Sequence, residues 1–184
     1  MFPQSERQRR IVILWSLISG FIHIFWEGAW SIAAPYLQTP AARHDWRLYW
    51  TLYGVADYRY LHADPFVRIL ELVTGSLVAG LNVWAAYQIW RRRKRAAAMM
   101  ALLVASVMEV YGTIMYFGSE MLNHWANVDT ASFLHTWVMF FGLNALWFVF
   151  PGWCIYEIVG YQLGERRAAT RPVATALPGG ELVP

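Results

Sequence analysis

The sequence predicts an all-α integral membrane protein, a bundle of four transmembrane helices around an intramembrane cavity. Three observations predict it. Of 184 residues, 58% are hydrophobic and only 15% are charged, where soluble domains carry about a quarter charged residues. The apolar residues gather into four runs, each long enough for the ~20 residues that a helical span needs. The basic residues gather at the ends of those runs, in RQRR (7–10), RRRKR (91–95) and ERR (165–167), as membrane topology requires.

The first span covers about residues 11–36, with Pro35 and Pro40 to close it. The second covers about 65–90. Pro65 stands where a helix can begin, because the N–H it lacks would be unpaired there anyway. The third covers about 96–117. The fourth covers about 133–161, and the PGW at 151–153 is expected to kink or end its regular part. The chain thus divides into an N-terminus (1–10), a membrane domain (11–163) and a tail (164–184). The tail is small-residue-rich, holds Pro and Gly, and is expected to be disordered. Between the first two spans, residues 37–64 mix charges with Trp and Tyr, and are expected to lie on the membrane or cap the bundle.

Four spans put both termini on one side. That side then holds Arg7, Arg9, Arg10, the 91–95 cluster, Arg166, Arg167 and Arg171, leaving only Arg43, Arg47, Arg59 and Arg68 on the other. The positive-inside rule places the richer side in the cytosol. The same clustering argues against a nucleic-acid partner, despite a pI near 9.2. The apolar run after the basic N-terminus is too long for a cleavable signal peptide. Cys154 reads as a small helix residue, and no spacing of His and Cys points to a metal.

Ionisable side chains inside the spans are the informative residues, since each costs about 2.5–3.5 kcal/mol at mid-bilayer on insertion scales. His23 and Glu27 stand one turn apart in the first span, on one face. Glu71 and Thr74 share a face of the second. The third holds Glu109 and Thr113, then Tyr116 and Glu120, and the fourth holds His135, Asn144 and Trp147. Glu120 and His135 are expected to be structural, near the interface where charge is cheap. An intramembrane Asn can be simple interhelical glue. His23, Glu27 and Glu71 are read as functional, because three such groups exceed what one pair of helices needs to associate.

Paired carboxyl groups in a dry pocket can be driven apart in proton affinity, leaving one acid and one base. Trp26, Trp30 and Trp147 can wall such a pocket with π-faces that attract cations. That set suits one reaction class. A carbon–carbon double bond is protonated, the carbocation is sheltered, and a neighbouring proton is removed.

Over about residues 12–163 the chain resembles the emopamil-binding protein family, the sterol Δ8–Δ7 isomerases of the EXPERA domain class. SGFIHIFWEGAW, YGVADYRYLHADPFVRILELVTG, VYGTIMYFGSE and FGLNALWFVFPGW carry the resemblance, in order. It implies a membrane helical bundle with a hydrophobic cavity open to the bilayer, in the endoplasmic reticulum. It implies cofactor-free migration of a sterol double bond from C8=C9 to C7=C8, and binding of cationic amphiphilic amines as inhibitors. By motif, His23, Glu27, Glu71, Thr74, Asn144 and Trp147 become the site. Glu71 and the His23–Glu27 pair would give and take the proton, Asn144 would orient a carboxyl group, and Trp147 would face the cation. The chain departs from the animal isomerases in lacking their extra N-terminal span. It also has Glu109 and Thr113 where they have Gln and Asp, which alters the cavity wall that these residues and Tyr116 are expected to form. Two other readings stay open. One is an isomerase or cyclase of a polycyclic terpenoid. The other is a non-catalytic sterol-binding or trafficking protein, like the sigma-2 receptor relatives of the same class. A homodimer is also kept open.

Overall fold

The computed structural model describes residues 5–37 and 47–169, with side chains through Leu163. Four helices are long and apolar enough to cross a membrane: α1 (Glu6–Tyr36), α4 (Pro65–Trp90), α5 (Arg95–Leu122) and α6 (Leu134–Leu163). Two short helices, α2 (Leu48–Gly54) and α3 (Arg59–His62), lie between the first two spans. The spans pack in sequence, α1 on α4, α4 on α5 and α5 on α6. Side chains such as Phe21, Phe25, Ile32, Tyr111 and Val149 point outward and exposed, the apolar exterior that a bilayer requires.

Each boundary has a local cause. Ser5 caps α1 in a reciprocal capping box with Gln8. Pro35 lies in the tight last turn of α1, Ala34–Tyr36; Pro40 lies outside the described residues. Asp64 caps α4 by accepting from the Val67 N–H, and Pro65 takes the first helical position as expected. α5 runs on to Leu122, beyond the expected 117. The polar GSE at 118–120 stays helical because Glu120 is buried and accepts from the backbone and side-chain N–H groups of Asn127.

Pro151 does not end the last helix, which continues through it to Ala169. Proline is tolerated in membrane helices where neighbours or local adjustment re-satisfy the freed backbone group. Residues 164–169 of the expected tail are therefore helical, and 170–184 lie outside the described residues.

Three of the four spans depart from α-geometry near their middle or start. Wider π-helical turns occur at His23–Gly28 in α1, Thr74–Val78 in α4 and Leu134–Gly142 in α6. Such turns add a residue to the helical repeat and often mark functional sites. The first two meet. A Cβ built on Gly75 would strike the Gly28 Cα and lie 2.7 Å from the His23 carbonyl oxygen. Glycine at 75 is what lets α1 and α4 approach backbone to backbone here, and a Cβ on Gly28 would already sit tightly, 3.2 Å from the Gly75 Cα.

The 37–64 connection caps one end of the bundle, as far as it is described. The Trp50 indole donates to the Trp26 carbonyl at 3.1 Å, and the Trp30 indole donates to the Tyr60 carbonyl at 3.3 Å. A bridge pairs Asp57 with Val128, tying this segment to the loop between α5 and α6. Beneath the bridge, Arg59 is buried with Asp57 at 2.7 Å and Glu120 at 3.3 Å. Burial is the largest influence and works against its charge, but the Asp57 hydrogen bonds together with the electrostatics of Tyr116, Asp57 and Glu120 outweigh it and raise its pKa above the ordinary arginine value.

This packing sets two expected outcomes. Gly75→Ala should lower stability in detergent by about 1–3 kcal/mol, the range for an overpacked contact. Gly80→Ala, with open space around it, should not; a thermal-unfolding series on both variants reads the difference. Arg59→Met strands two buried carboxylates and should cost about 3–5 kcal/mol, read as lost folded protein in fluorescence size-exclusion profiles.

Candidate functional site

The glycine crossing sets α1 against α4 just where each span carries its ionisable residues. From α1, His23 is buried and its Nδ1 lies 2.5 Å from Glu27 Oε2. From α4, the Thr74 hydroxyl donates to the same Glu27 oxygen at 2.6 Å. Glu71, one turn before Thr74, is buried and accepts a hydrogen bond from the Tyr60 phenol of α3. Burial pushes that phenol's pKa up, so Tyr60 remains a donor.

The other ring nitrogen of His23 faces α5 and α6. Nε2 lies 3.1 Å from Glu109 Oε1 and 3.1 Å from the Trp147 indole nitrogen. Glu109 is buried, and its Oε1 also accepts from Ser19 at 2.6 Å and from Asn82 at 2.7 Å. Asn144, from α6, donates to the Tyr53 hydroxyl of α2 at 2.9 Å and to the Phe140 carbonyl at 2.6 Å. All four spans and both capping helices therefore supply polar groups to one centre.

Two adjoining spaces flank this centre. An inner cavity of about 40 Å³ is lined by His23, Glu27, Leu70, Glu71, Thr74, Glu109, Gly112, Thr113, Tyr116, Asn144 and Trp147. An outer cleft of about 640 Å³ is lined by Phe21, Ile22, Phe25, Trp26, Tyr49, Tyr53, Tyr60, Leu143 and Leu146, together with Glu27, Glu71, Asn144 and Trp147. The first is too small for a lipid. The second has the size and the mainly apolar wall of a small-molecule site. Glu27, Glu71, Asn144 and Trp147 belong to both.

Most residues singled out from the sequence come together here. His23, Glu27, Glu71, Thr74, Asn144 and Trp147 form the centre, and Trp26 lines the cleft. Glu109, Thr113 and Tyr116 stand on the inner cavity and not on the outer wall. The expectation for Trp30 is corrected. It is fully buried in the cluster with Tyr53, Tyr60 and Phe140, away from the cleft, because its indole N–H is satisfied by the capping segment.

Glu120 and His135 make structural pairs away from the centre. Glu120 pairs with Arg59 and Asn127, and His135 donates from Nδ1 to Asp129 at 2.6 Å. That bond holds the half-buried Asp129 carboxyl below its ordinary pKa. Sequence reasoning missed Ser19, Asn82, Tyr53 and Tyr60 as site partners. Both tyrosines stood in the quoted YGVADYRYLHAD stretch, but only the capping helices bring them over the centre.

Fold and centre together define a polytopic helical membrane protein with a cluster of hydrogen-bonded ionisable side chains at the wall of an apolar cleft. The EBP model of the EXPERA (EXPanded EBP superfamily) family matches residues 46–158, and the chain belongs to that family. It is 28% identical over 151 residues to the 3-beta-hydroxysteroid-Delta(8),Delta(7)-isomerase of Rattus norvegicus, covering 82% of this chain and 64% of that protein. The corresponding isomerase of Cavia porcellus is 27% identical over 163 residues, covering 87% of this chain and 68% of that protein. Protoglabretal synthase of Citrus sinensis is 25% identical over 151 residues, covering 82% of this chain and 69% of that protein. The chain thus spans about two thirds of the length of the curated relatives it matches.

Proposed function

We propose that this protein is an intramolecular oxidoreductase that moves a double bond in a sterol or sterol-like polycyclic lipid. One observation carries the reading. Glu27 and Glu71, both hydrogen-bonded from behind, edge the same apolar cleft beside Trp147. In a Δ8 sterol, a proton is added at C9, the positive charge falls on C8, and a proton is lost from C7. The C8=C9 π-pair forms the new C9–H bond, and the pair of the C7–H bond that then breaks becomes the C7=C8 double bond. One proton enters and one leaves. Glu71 and the His23–Glu27 pair are the two groups that deliver and remove it.

The supporting chain residues divide the work. Tyr60 and Thr74 hold the carboxyl groups in place by donating to them. Asn144 borders both spaces, but its amide donates to the Tyr53 hydroxyl and the Phe140 carbonyl and not to a carboxyl group, so the expected orienting role passes to Thr74 and Tyr60. Trp26 and Trp147 line the cleft, where aromatic faces stabilise a cation by about 0.5–2 kcal/mol. Cationic amphiphilic amines imitate the carbocation and are expected inhibitors. The named sterol isomerases among the relatives, and the presence of both proton-handling groups, favour this reading over passive sterol binding. The plant relative named as a synthase keeps a polycyclic terpenoid substrate as the second reading.

We place both termini and the 91–95 turn in the cytosol of an endoplasmic reticulum protein. Arg92 pairs with Glu6 at 2.6 Å, and Arg9 reaches the Trp90 carbonyl, so the N-terminus and this basic turn lie at one end of the bundle. A homodimer remains part of the proposal, to be read by cross-linking in native membranes.

Expression in cells lacking Δ8–Δ7 isomerase tests the activity. Δ7 sterols should appear, and Glu71→Gln should lower the conversion by about 10²–10⁴-fold, the usual contribution of a general acid or base. Correctly inserted wild-type protein that leaves Δ8 sterols untouched would sink the sterol reading, and feeding polycyclic terpenoids would then test the second. Binding of a cationic amphiphilic amine should weaken about tenfold or more in Trp147→Leu. In Trp30→Phe it should stay within about twofold while the melting temperature falls, since Trp30 lies in the packed cluster.

A further inference from the structure

We propose that Nε2 of His23 is a two-position switch, bonded to Glu109 when it carries a proton and to Trp147 when it does not. Glu109 is then a positioning residue that governs the histidine proton and, through it, the Trp147 indole. The proposal deepens the reading of the same site as a proton-handling centre, and rests on that reading.

The geometry is a conflict over one nitrogen. Glu109 Oε1 and the Trp147 indole nitrogen both lie 3.1 Å from Nε2. An indole N–H is donor only, and an ionised carboxylate is acceptor only. Nε2 with a proton can donate to Glu109 but sets its N–H against that of Trp147. Nε2 without a proton can accept from Trp147 but sets its lone pair against the carboxylate. Both contacts cannot be hydrogen bonds in one state.

Glu109 cannot resolve the conflict from its own side. The oxygen that faces Nε2 already accepts from Ser19 at 2.6 Å and from Asn82 at 2.7 Å. It is held as an acceptor, with no proton to offer the ring. Its other oxygen, Oε2, is buried with no hydrogen-bond partner among the described residues, in a side chain that lines the inner cavity. Meanwhile Nδ1 stays bonded to Glu27 at 2.5 Å in either state, so the change is confined to Nε2.

The consequence reaches the cleft because Trp147 lines both spaces. A proton arriving on Nε2 frees the indole N–H, and a proton leaving draws it back to the ring. The aromatic wall of the cleft thereby follows the protonation state of the inner centre. The titratable groups around His23 are Glu27 on its own span, Glu71 on α4, Glu109 and Tyr116 on α5, and Cys154 on α6, which is near enough to Glu109 to feel its charge.

The test is a pH titration of the full chain in lipid nanodiscs, with ¹⁵N-labelled histidine and tryptophan. His23→Gln and Trp147→Phe assign the two signals. The Nε2 resonance and the Trp147 indole resonance should change together, with one midpoint. Glu109→Gln removes a neighbouring opposite charge and should lower the proton affinity of Nε2 by roughly tenfold or more, while Glu109→Asp should restore most of it. Trp147→Phe removes the donor that favours bare Nε2 and should shift the midpoint the other way. An indole signal indifferent to the histidine proton would overturn the switch. So would midpoints that move in the same direction in Glu109→Gln and in Trp147→Phe. Should Glu109→Gln fail to fold, Trp147→Phe decides alone: a raised affinity supports the switch and an unchanged one overturns it. Sterol conversion, measured separately, reports on the isomerase reading whatever this titration shows.

Discussion

The close approach of α1 and α4 at Gly28 and Gly75 is the contact on which the site depends. Two helices with ordinary side chains at their crossing stay about 8–10 Å apart. Here the crossing has no side chain on either backbone, and a single methyl on Gly75 would strike the Gly28 Cα. The approach is closest where both helices widen into π-helical turns. It brings Thr74 within 2.6 Å of Glu27 and seats Glu71 on the same inner cavity. Without the crossing, the two carboxyl-bearing faces would be separated by a layer of packed side chains; Glu27 would keep His23 but lose Thr74, a step toward isolation in an apolar environment.

Isolated burial of that kind is costly, and the surrounding hydrogen bonds show how the fold offsets it. His23 has a carboxylate on each side, Glu27 through Nδ1 and Glu109 through Nε2. Glu109 has Ser19 and Asn82, and Glu71 has Tyr60. These partners come from several elements, so the polar centre is also a tertiary lock among the spans. The same principle operates at the capped end, where Arg59 is stacked over the Tyr116 ring at 4.2 Å and paired with Asp57 and Glu120. A buried charge is tolerated in both places only because it is never without a partner.

How far the sequence foretold this differs from residue to residue, for physical reasons. The four spans were legible because length, apolarity and basic flanks are strong signals in a bilayer. His23 and Glu27 were legible because their cost in hydrocarbon is high and their spacing fits one helix face. Trp30 was misplaced because an aromatic at the right spacing looks alike whether it lines a cleft or fills a core; its indole partner, the Tyr60 carbonyl, lies thirty residues away in sequence. Tyr53 and Tyr60 were seen as motif letters only. Their place above the centre depends on how two short helices fold back over the bundle, and no periodicity encodes that. Asn82 and Ser19 were overlooked because each is cheap alone, and their role exists only in relation to Glu109. The π-helical turns leave no mark in composition at all.

The division into two spaces has a chemical consequence that neither space would have alone. The inner cavity is lined by nearly every titratable group of the centre, while the outer cleft is walled by Phe21, Phe25, Trp26, Leu143 and Leu146. Glu27, Glu71, Asn144 and Trp147 are the only side chains common to both linings among the described residues. Under the proposed reading, a lipid in the cleft meets Glu27 and Glu71 along one edge and mainly apolar surface elsewhere. Under the proposed reading, substitutions at Phe21, Phe25, Leu143 and Leu146 change the shape of what fits without touching the hydrogen bonds that position the carboxyl groups, whereas Tyr60 on the same wall donates to Glu71. Substitution of Glu109 on the inner wall acts on the His23 ring and, under the proposed reading, reaches the cleft only through the Trp147 indole. On that reading the apolar wall bears on substrate choice and the inner cavity on proton transfer, and Glu27, Glu71, Asn144 and Trp147 are where the two meet.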